Sequence, residues 1–219
     1  MNRRQSAAAP TPTEVTPVVF VVDDDEELRL ALDNLFRSVG LQARLFGSAA
    51  EFLKAAAVDA PGCLVLDIRL PGVSGLEFQG QLARMGIALP IIFMTGHGDV
   101  PMSVRAMKAG AVDFLTKPFR DQDMLDAVSS AIEADRQRRA AAEAGRDVRA
   151  RFEGLSPRER EVMTLVTRGL MNKQVAGELG LSEITVKLYR AQAMRKMGAG
   201  TLADLVRMAE QLALHAGRG

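Results

Sequence analysis

Five short apolar runs, most of them rich in β-branched residues, recur between residues 18 and 115, and stretches of helical periodicity separate them. The runs are VVFVV (18–22), LQARLF (41–46), CLVLD (63–67), PIIFM (90–94) and AVDFL (111–115); the helical patterns fall near 26–39, 48–57, 75–85 and 100–109 and again from 121. Helix ends are marked where they should be: Gly40 after the first helix, Ser48 with Glu51 as a capping box for the second, Gly110 after the fourth. Regular alternation of this kind predicts an α/β domain with a doubly wound, five-stranded parallel sheet. Sheets of that type leave their ligands at the carboxyl ends of the strands.

From residue 121 the signal is helical only. Met124, Leu125, Val128 and Ile132 give the fifth helix an apolar stripe, and it continues as EADRQRRAAAEAGRDVRARF (133–152), without proline. That composition predicts a semi-rigid helical spacer, with Gly145 its weakest position. Ser156-Pro157-Arg158-Glu159 then combines an N-cap, a proline at the first helical position and a capping-box glutamate. Asn172, Ser182 and Thr201 are candidate caps of three further helices. Val175, Ala176 and Leu179 before Gly180, with Ile184 and Val186 after it, fit two helices joined by a tight turn, a helix-turn-helix. The expected organisation is a disordered tail (1–17), an α/β domain (18–133), a helical linker (134–151) and an all-α four-helix domain (152–219).

Charge follows the same partition. The whole chain carries +1, but residues 18–133 hold 10 basic and 16 acidic side chains, whereas 134–151 hold 6 and 3 and 152–219 hold 10 and 7. An acidic body is joined to a mildly basic end. A single cysteine excludes an internal disulfide framework and a cysteine-based zinc site, as expected of a reducing cytoplasm; Cys63 itself reads as a small buried hydrophobe. No apolar run approaches the ~18 residues of a membrane span, and Arg3 and Arg4 have no apolar segment behind them to make a signal peptide. The two histidines, His97 and His215, lack a sequence partner that would make a catalytic pair.

The strand ends carry a distinctive set of residues: Asp23 and Asp24 after the first strand, Asp67 ending the third, Thr95 after the fourth, Lys117-Pro118 after the fifth. Taken singly, each is better read as a helix cap or a solvated side chain. Together they suggest phosphoryl chemistry. Three neighbouring carboxylates repel unless a cation sits among them, and hard oxygen ligands favour Mg2+. A lysine supplies a point charge for a phosphoryl group, a threonine hydroxyl can hydrogen-bond one of its oxygens, and a carboxylate can itself be the phosphoryl acceptor.

The stretches VFVVDDDEELR (19–29), LVLDIRLPGVSGLE (64–77) and IFMTGHGDVPMSVRAMKAGAVDFLTKPF (92–119) resemble the receiver domain of response regulators, a flavodoxin-like fold, across nearly all of 18–133. The resemblance implies that Asp67 is the phospho-acceptor, that Asp23, Asp24, Asp67 and the Arg69 backbone carbonyl hold Mg2+, that Thr95 and Phe114 are the switch pair, and that Lys117 binds the phosphoryl group. It also implies a sensor histidine kinase as phosphodonor. The apolar edge of Phe114, Val104, Met107 and Ala111 reads either as a dimerisation face or as core.

In EITVKLYRAQAMRKM (183–197), Ile184, Val186, Met194 and Met197 are candidates to face inward. Thr185, Lys187, Leu188, Arg190 and Ala191 are candidates for the DNA side, with Arg195 and Lys196 nearer the phosphates. Residues 155–212 resemble the LuxR/FixJ-type DNA-binding domain, departing at Tyr189, where many relatives have histidine, and at Ala191, a position that is often basic. TLADLVRMAEQLAL (201–214) is amphipathic, for dimer contact or for core packing. The expected protein is a cytoplasmic bacterial transcription regulator that dimerises on phosphorylation and binds paired promoter half-sites, with RNA polymerase as a further partner. Two other readings remain: an aspartyl-nucleophile phosphatase, opposed by the lack of a second carboxylate in RLPG (69–72), and a regulator switched by a partner protein without phosphorylation.

Overall fold

A computed structural model describes residues 16–55, 60–96 and 100–214. The N-terminal tail up to residue 15, His97 and His215 lie outside the described residues. In chain order the first unit comprises β1 (Val18–Val22), α1 (Glu26–Ser38), β2 (Gln42–Phe46), α2 (Ala49–Ala55), β3 (Gly62–Asp67), β4 (Arg69–Leu70), β5 (Val73–Ser74), α3 (Gly75–Arg84), β6 (Ile91–Thr95), α4 (Val100–Lys108) and β7 (Asp113–Thr116). The long α5 (Asp121–Glu153) follows, then α6 (Pro157–Thr167), α7 (Asn172–Leu179), α8 (Glu183–Met197) and α9 (Leu202–Gln211).

Five strands pair in parallel in the order β2-β1-β3-β6-β7. Because side chains alternate along a strand, each strand feeds two apolar layers. Val19, Val21, Cys63, Val65, Ile92 and Met94 face α1 and α5, meeting Leu32, Phe36, Met124 and Val128. Phe20, Val22, Leu64, Leu66 and Phe93 face the other way, onto Phe52 of α2, Phe78 and Leu82 of α3 and Ala106 of α4. Phe52 sits at the centre of that layer, edge-on to Phe20, Phe46 and Phe78 at 5.4–6.0 Å. This is the doubly wound α/β sheet expected from the alternation. Cys63 is fully buried in it, and burial pushes its thiol up to about 12.

The structure adds a two-residue antiparallel hairpin, β4 with β5, directly after Asp67. Its runs are too short to leave an apolar period in the sequence. The fifth strand begins at Asp113 rather than at 111, since Gly110 is left-handed (φ 91°) and Ala111 is drawn into the core.

The helix across 134–151 is continuous with α5. Contacts divide the chain between Arg139 and Ala140. On the N-terminal side, Asp135 is fully buried and accepts hydrogen bonds from Gly62 N–H (3.1 Å), Arg138 (2.5 Å) and Arg139 (2.7 Å). On the C-terminal side, Val148 and Phe152 belong to the apolar core of the second unit, with Val162, Met163, Val175, Val186, Met197 and Leu205.

In the second unit, Ser156 and Glu159 form the expected capping box, and Ser182 and Thr201 cap α8 and α9. Gly180 ends α7 in a left-handed conformation (φ 66°), which makes the tight turn into α8. Two expectations are corrected. Met171, not Asn172, occupies the N-cap of α7, because the Gln174 side chain accepts from the Met171 N–H at 2.8 Å and begins the helix one residue earlier. Ile184 does not face inward: it is 80% exposed, since Val186, Ala193 and Met197 fill the buried side of α8. On α9, Leu205 and Ala209 are buried in the unit's core.

Candidate functional site

Asp23, Asp67 and Lys117 meet at the carboxyl edge of the sheet. Asp23 and Asp67 are buried at the ends of the neighbouring strands β1 and β3, and the Lys117 side chain reaches across from the far end of β7. Its ammonium lies 2.7 Å from Asp23 Oδ2 and 3.1 Å from Asp67 Oδ2. The other oxygen of each carboxylate is held by backbone: Asp25 N–H donates to Asp23 Oδ1 at 2.9 Å, and Arg69 N–H donates to Asp67 Oδ1 at 3.1 Å. Lys117 is fixed in turn by its own N–H, which donates to the Thr95 carbonyl at 2.7 Å, ahead of a cis bond to Pro118.

Burial raises the Asp23 carboxyl above the usual aspartate range, and the Lys117 hydrogen bond only partly offsets this. Burial also works against the Lys117 ammonium, but hydrogen bonds to Asp23 and Asp67 outweigh it and carry its pKa above the ordinary lysine value. The lysine is therefore a permanent cation here. Asp24 is exposed, and Asp23, Asp24 and Asp67 each present a carboxylate oxygen within 4.8 Å of the other two. That all-oxygen donor set, charged and partly open, fits a hard divalent cation.

Behind the site the start of α3 packs closely on the Asp67 backbone. A Cβ at position 75 would lie 2.6 Å from the Asp67 carbonyl oxygen, so only glycine lets α3 start there, with its N–H donating to the Ile68 carbonyl at 2.8 Å. Thr95 is fully buried at the end of β6, and Phe114 lies half-buried on β7 against the core. Arg69 is exposed on β4. Val104 and Met107 of α4 are exposed, whereas Ala111, between α4 and β7, is buried.

On α8, Lys187, Leu188, Ala191 and Arg195 are exposed. Three other candidates are engaged within the fold. Thr185 Oγ1 bonds the Ser182 hydroxyl at 2.8 Å, Arg190 donates to Asn172 Oδ1 at 3.4 Å, and the Lys196 ammonium pairs with the buried Glu159 at 2.7 Å.

Residues 19–129 match the response regulator receiver domain and residues 153–209 match the luxR family of bacterial regulatory proteins. Nodulation protein W of Bradyrhizobium diazoefficiens is 60% identical over 206 residues, covering 94% of this chain and 91% of that protein. The chain belongs to the response regulators. Transcriptional regulatory protein FixJ of Azorhizobium caulinodans is 46% identical over 191 residues, covering 87% of this chain and 90% of its own length. Among solved structures, response regulator StyR superposes with a TM-score of 0.79 at 48% identity, over 90% of this chain and 99% of that one. Full-length FixJ from B. japonicum gives 0.54 at 42% identity, over 90% and 97%.

As a response regulator of this architecture, the chain is a transcription regulator of a two-component system, with a receiver and a LuxR-type DNA-binding domain. The strand-end rule found the acidic residues of the receiver. It could not find the Gly75 approach, because glycine after a turn is common and only the packed structure shows what a side chain there would strike. Among the described residues no helix is long and apolar enough to cross a membrane.

Proposed function

We propose that this response regulator accepts a phosphoryl group on Asp67 from the phosphohistidine of a sensor kinase, dimerises, and then binds promoter half-sites. The observation that carries the reading is the Lys117 ammonium bridging the Asp23 and Asp67 carboxylates. An Asp67 carboxylate oxygen attacks phosphorus, a P–O bond forms, the P–N bond of phosphohistidine breaks, and the imidazole leaves. Lys117 moves its charge from the free carboxylate onto the phosphoryl oxygens. The Thr95 hydroxyl donates to one of them, and the half-buried Phe114 turns inward as Thr95 shifts. Asp23, Asp24, Asp67 and the Arg69 carbonyl would hold Mg2+, which would supply neutralisation of the charge on the phosphoryl oxygens.

An apolar groove beside Lys117, lined by Leu28, Ala31, Leu35, Pro118 and Phe119, offers the kinase a footing next to the acceptor. The exposed Val104 and Met107 are apolar surface available to a second copy. Of the α8 residues, Lys187, Leu188, Ala191 and Arg195 form the DNA side; Thr185, Arg190 and Lys196 each already make one hydrogen bond within the fold and keep further donors or acceptors for DNA. Acetyl phosphate is expected to raise the DNA affinity of the wild-type protein and to leave an Asp67→Asn variant unchanged. A variant that still responded would overturn phosphorylation at Asp67.

A further inference from the structure

The exposed side of α8 carries an apolar pair among its charged residues. Ile184 is 80% exposed and Leu188 is 56% exposed, and as an i, i+4 pair they share one face in the first turns of the helix, just past the Ser182 cap. Ala191 continues that face with a methyl group. Arg190 and Lys196 each make a bond within the fold, to Asn172 and Glu159, and Lys187 and Arg195 are exposed cations beside the apolar pair, outnumbering the one exposed acid of α8, Glu183. The helix core does not need Ile184, since Val186, Ala193 and Met197 fill it. A branched aliphatic side chain held in water forgoes the stabilisation that burial would give. The N-terminal turns of the second helix of a helix-turn-helix are the part that meets base edges in the major groove, where the apolar feature is the thymine 5-methyl group. Flanking cations favour a polyanion over an apolar protein surface as the occupant.

We propose, resting on the reading of α8 as the DNA-contacting helix, that Ile184 and Leu188 read thymine methyl groups, so that each half-site carries thymine at two positions fixed by this pair. Specificity at those positions comes from apolar contact rather than from hydrogen bonds to bases.

The test uses the full-length protein activated with beryllofluoride and a duplex selected by it from a randomised pool. Each thymine of the half-site is replaced singly by deoxyuridine, which removes the methyl group and nothing else, and affinity is read by fluorescence anisotropy at fixed salt. At two positions the replacement is expected to weaken wild-type binding about fourfold, the worth of one buried methyl group. Ile184→Ala is expected to abolish the effect at one position and Leu188→Ala at the other; both side chains are exposed, and circular dichroism checks that the variants fold. Equal affinity for thymine and deoxyuridine duplexes, or methyl dependence that both variants retain, would overturn the proposal while leaving α8 on DNA. A Lys187→Ala variant with undiminished affinity would overturn the reading of α8 itself, and this proposal with it.

Discussion

Lys117 is the counter-ion of two buried carboxylates, so its loss leaves like charges facing each other at low dielectric. In Lys117→Ala we expect a loss of about 2 kcal/mol in denaturant unfolding with EDTA present. Added Mg2+ is expected to restore more stability to this variant than to wild type, because a cation then replaces the missing ammonium. Glu159 provides the pH test. Its hydrogen bond from Lys196, opposed by burial, holds its carboxyl below the ordinary value of 4.5. A folded-state pKa below the unfolded one means that the contribution is full above that ordinary value and is lost as pH falls through the lowered one. Acid unfolding of the second unit is therefore expected to begin below pH 4.5, and Glu159→Gln to flatten that limb of the stability curve. Residue identities at the receiver site were legible because topology places strand ends together. Asp135 was not, because a carboxylate among arginines looks like solvated linker until Gly62 is seen to need an acceptor.

At the scale of elements, sheet order and helix positions followed from period and punctuation, since β-branched runs and caps report local preferences directly. Where the reading failed, two local signals competed. In α8 the apolar residues lie on both sides of the helix, Ile184 and Leu188 on one and Val186, Ala193 and Met197 on the other, so composition alone could not choose the buried face. At α7 the polar side chain that begins the helix belongs to Gln174, three residues after the true cap, so the expectation at Asn172 was displaced by one. In α5, Gly145 is a helical glycine with nothing within 4 Å of where a Cβ would stand. Gly145→Ala is expected to raise stability by about 0.5–1 kcal/mol, read as a higher thermal midpoint of the helical signal.

Over the whole molecule, the near-zero net charge is a cancellation between an acidic receiver and a basic remainder that includes the DNA-binding domain. With 10 basic and 7 acidic residues across 152–219, one copy neutralises few phosphates, so a monomer should bind weakly and two copies should supply the rest. Sedimentation is expected to show a monomer without beryllofluoride and a dimer with it. An unchanged distribution would mean that phosphoryl mimicry does not act through association.

The strand that ends in Asp67, the proposed acceptor, is held at both ends. Asp135 of α5 accepts from the amide of Gly62 where β3 begins, and just past its other end the Gly75 N–H donates to the Ile68 carbonyl, with no room for a Cβ against the Asp67 carbonyl. A member clamped at each end is a datum rather than a moving part. A phosphoryl group on Asp67 is therefore expected to be felt in β6, α4 and β7 rather than in β3, to which the base of α5 is also tied.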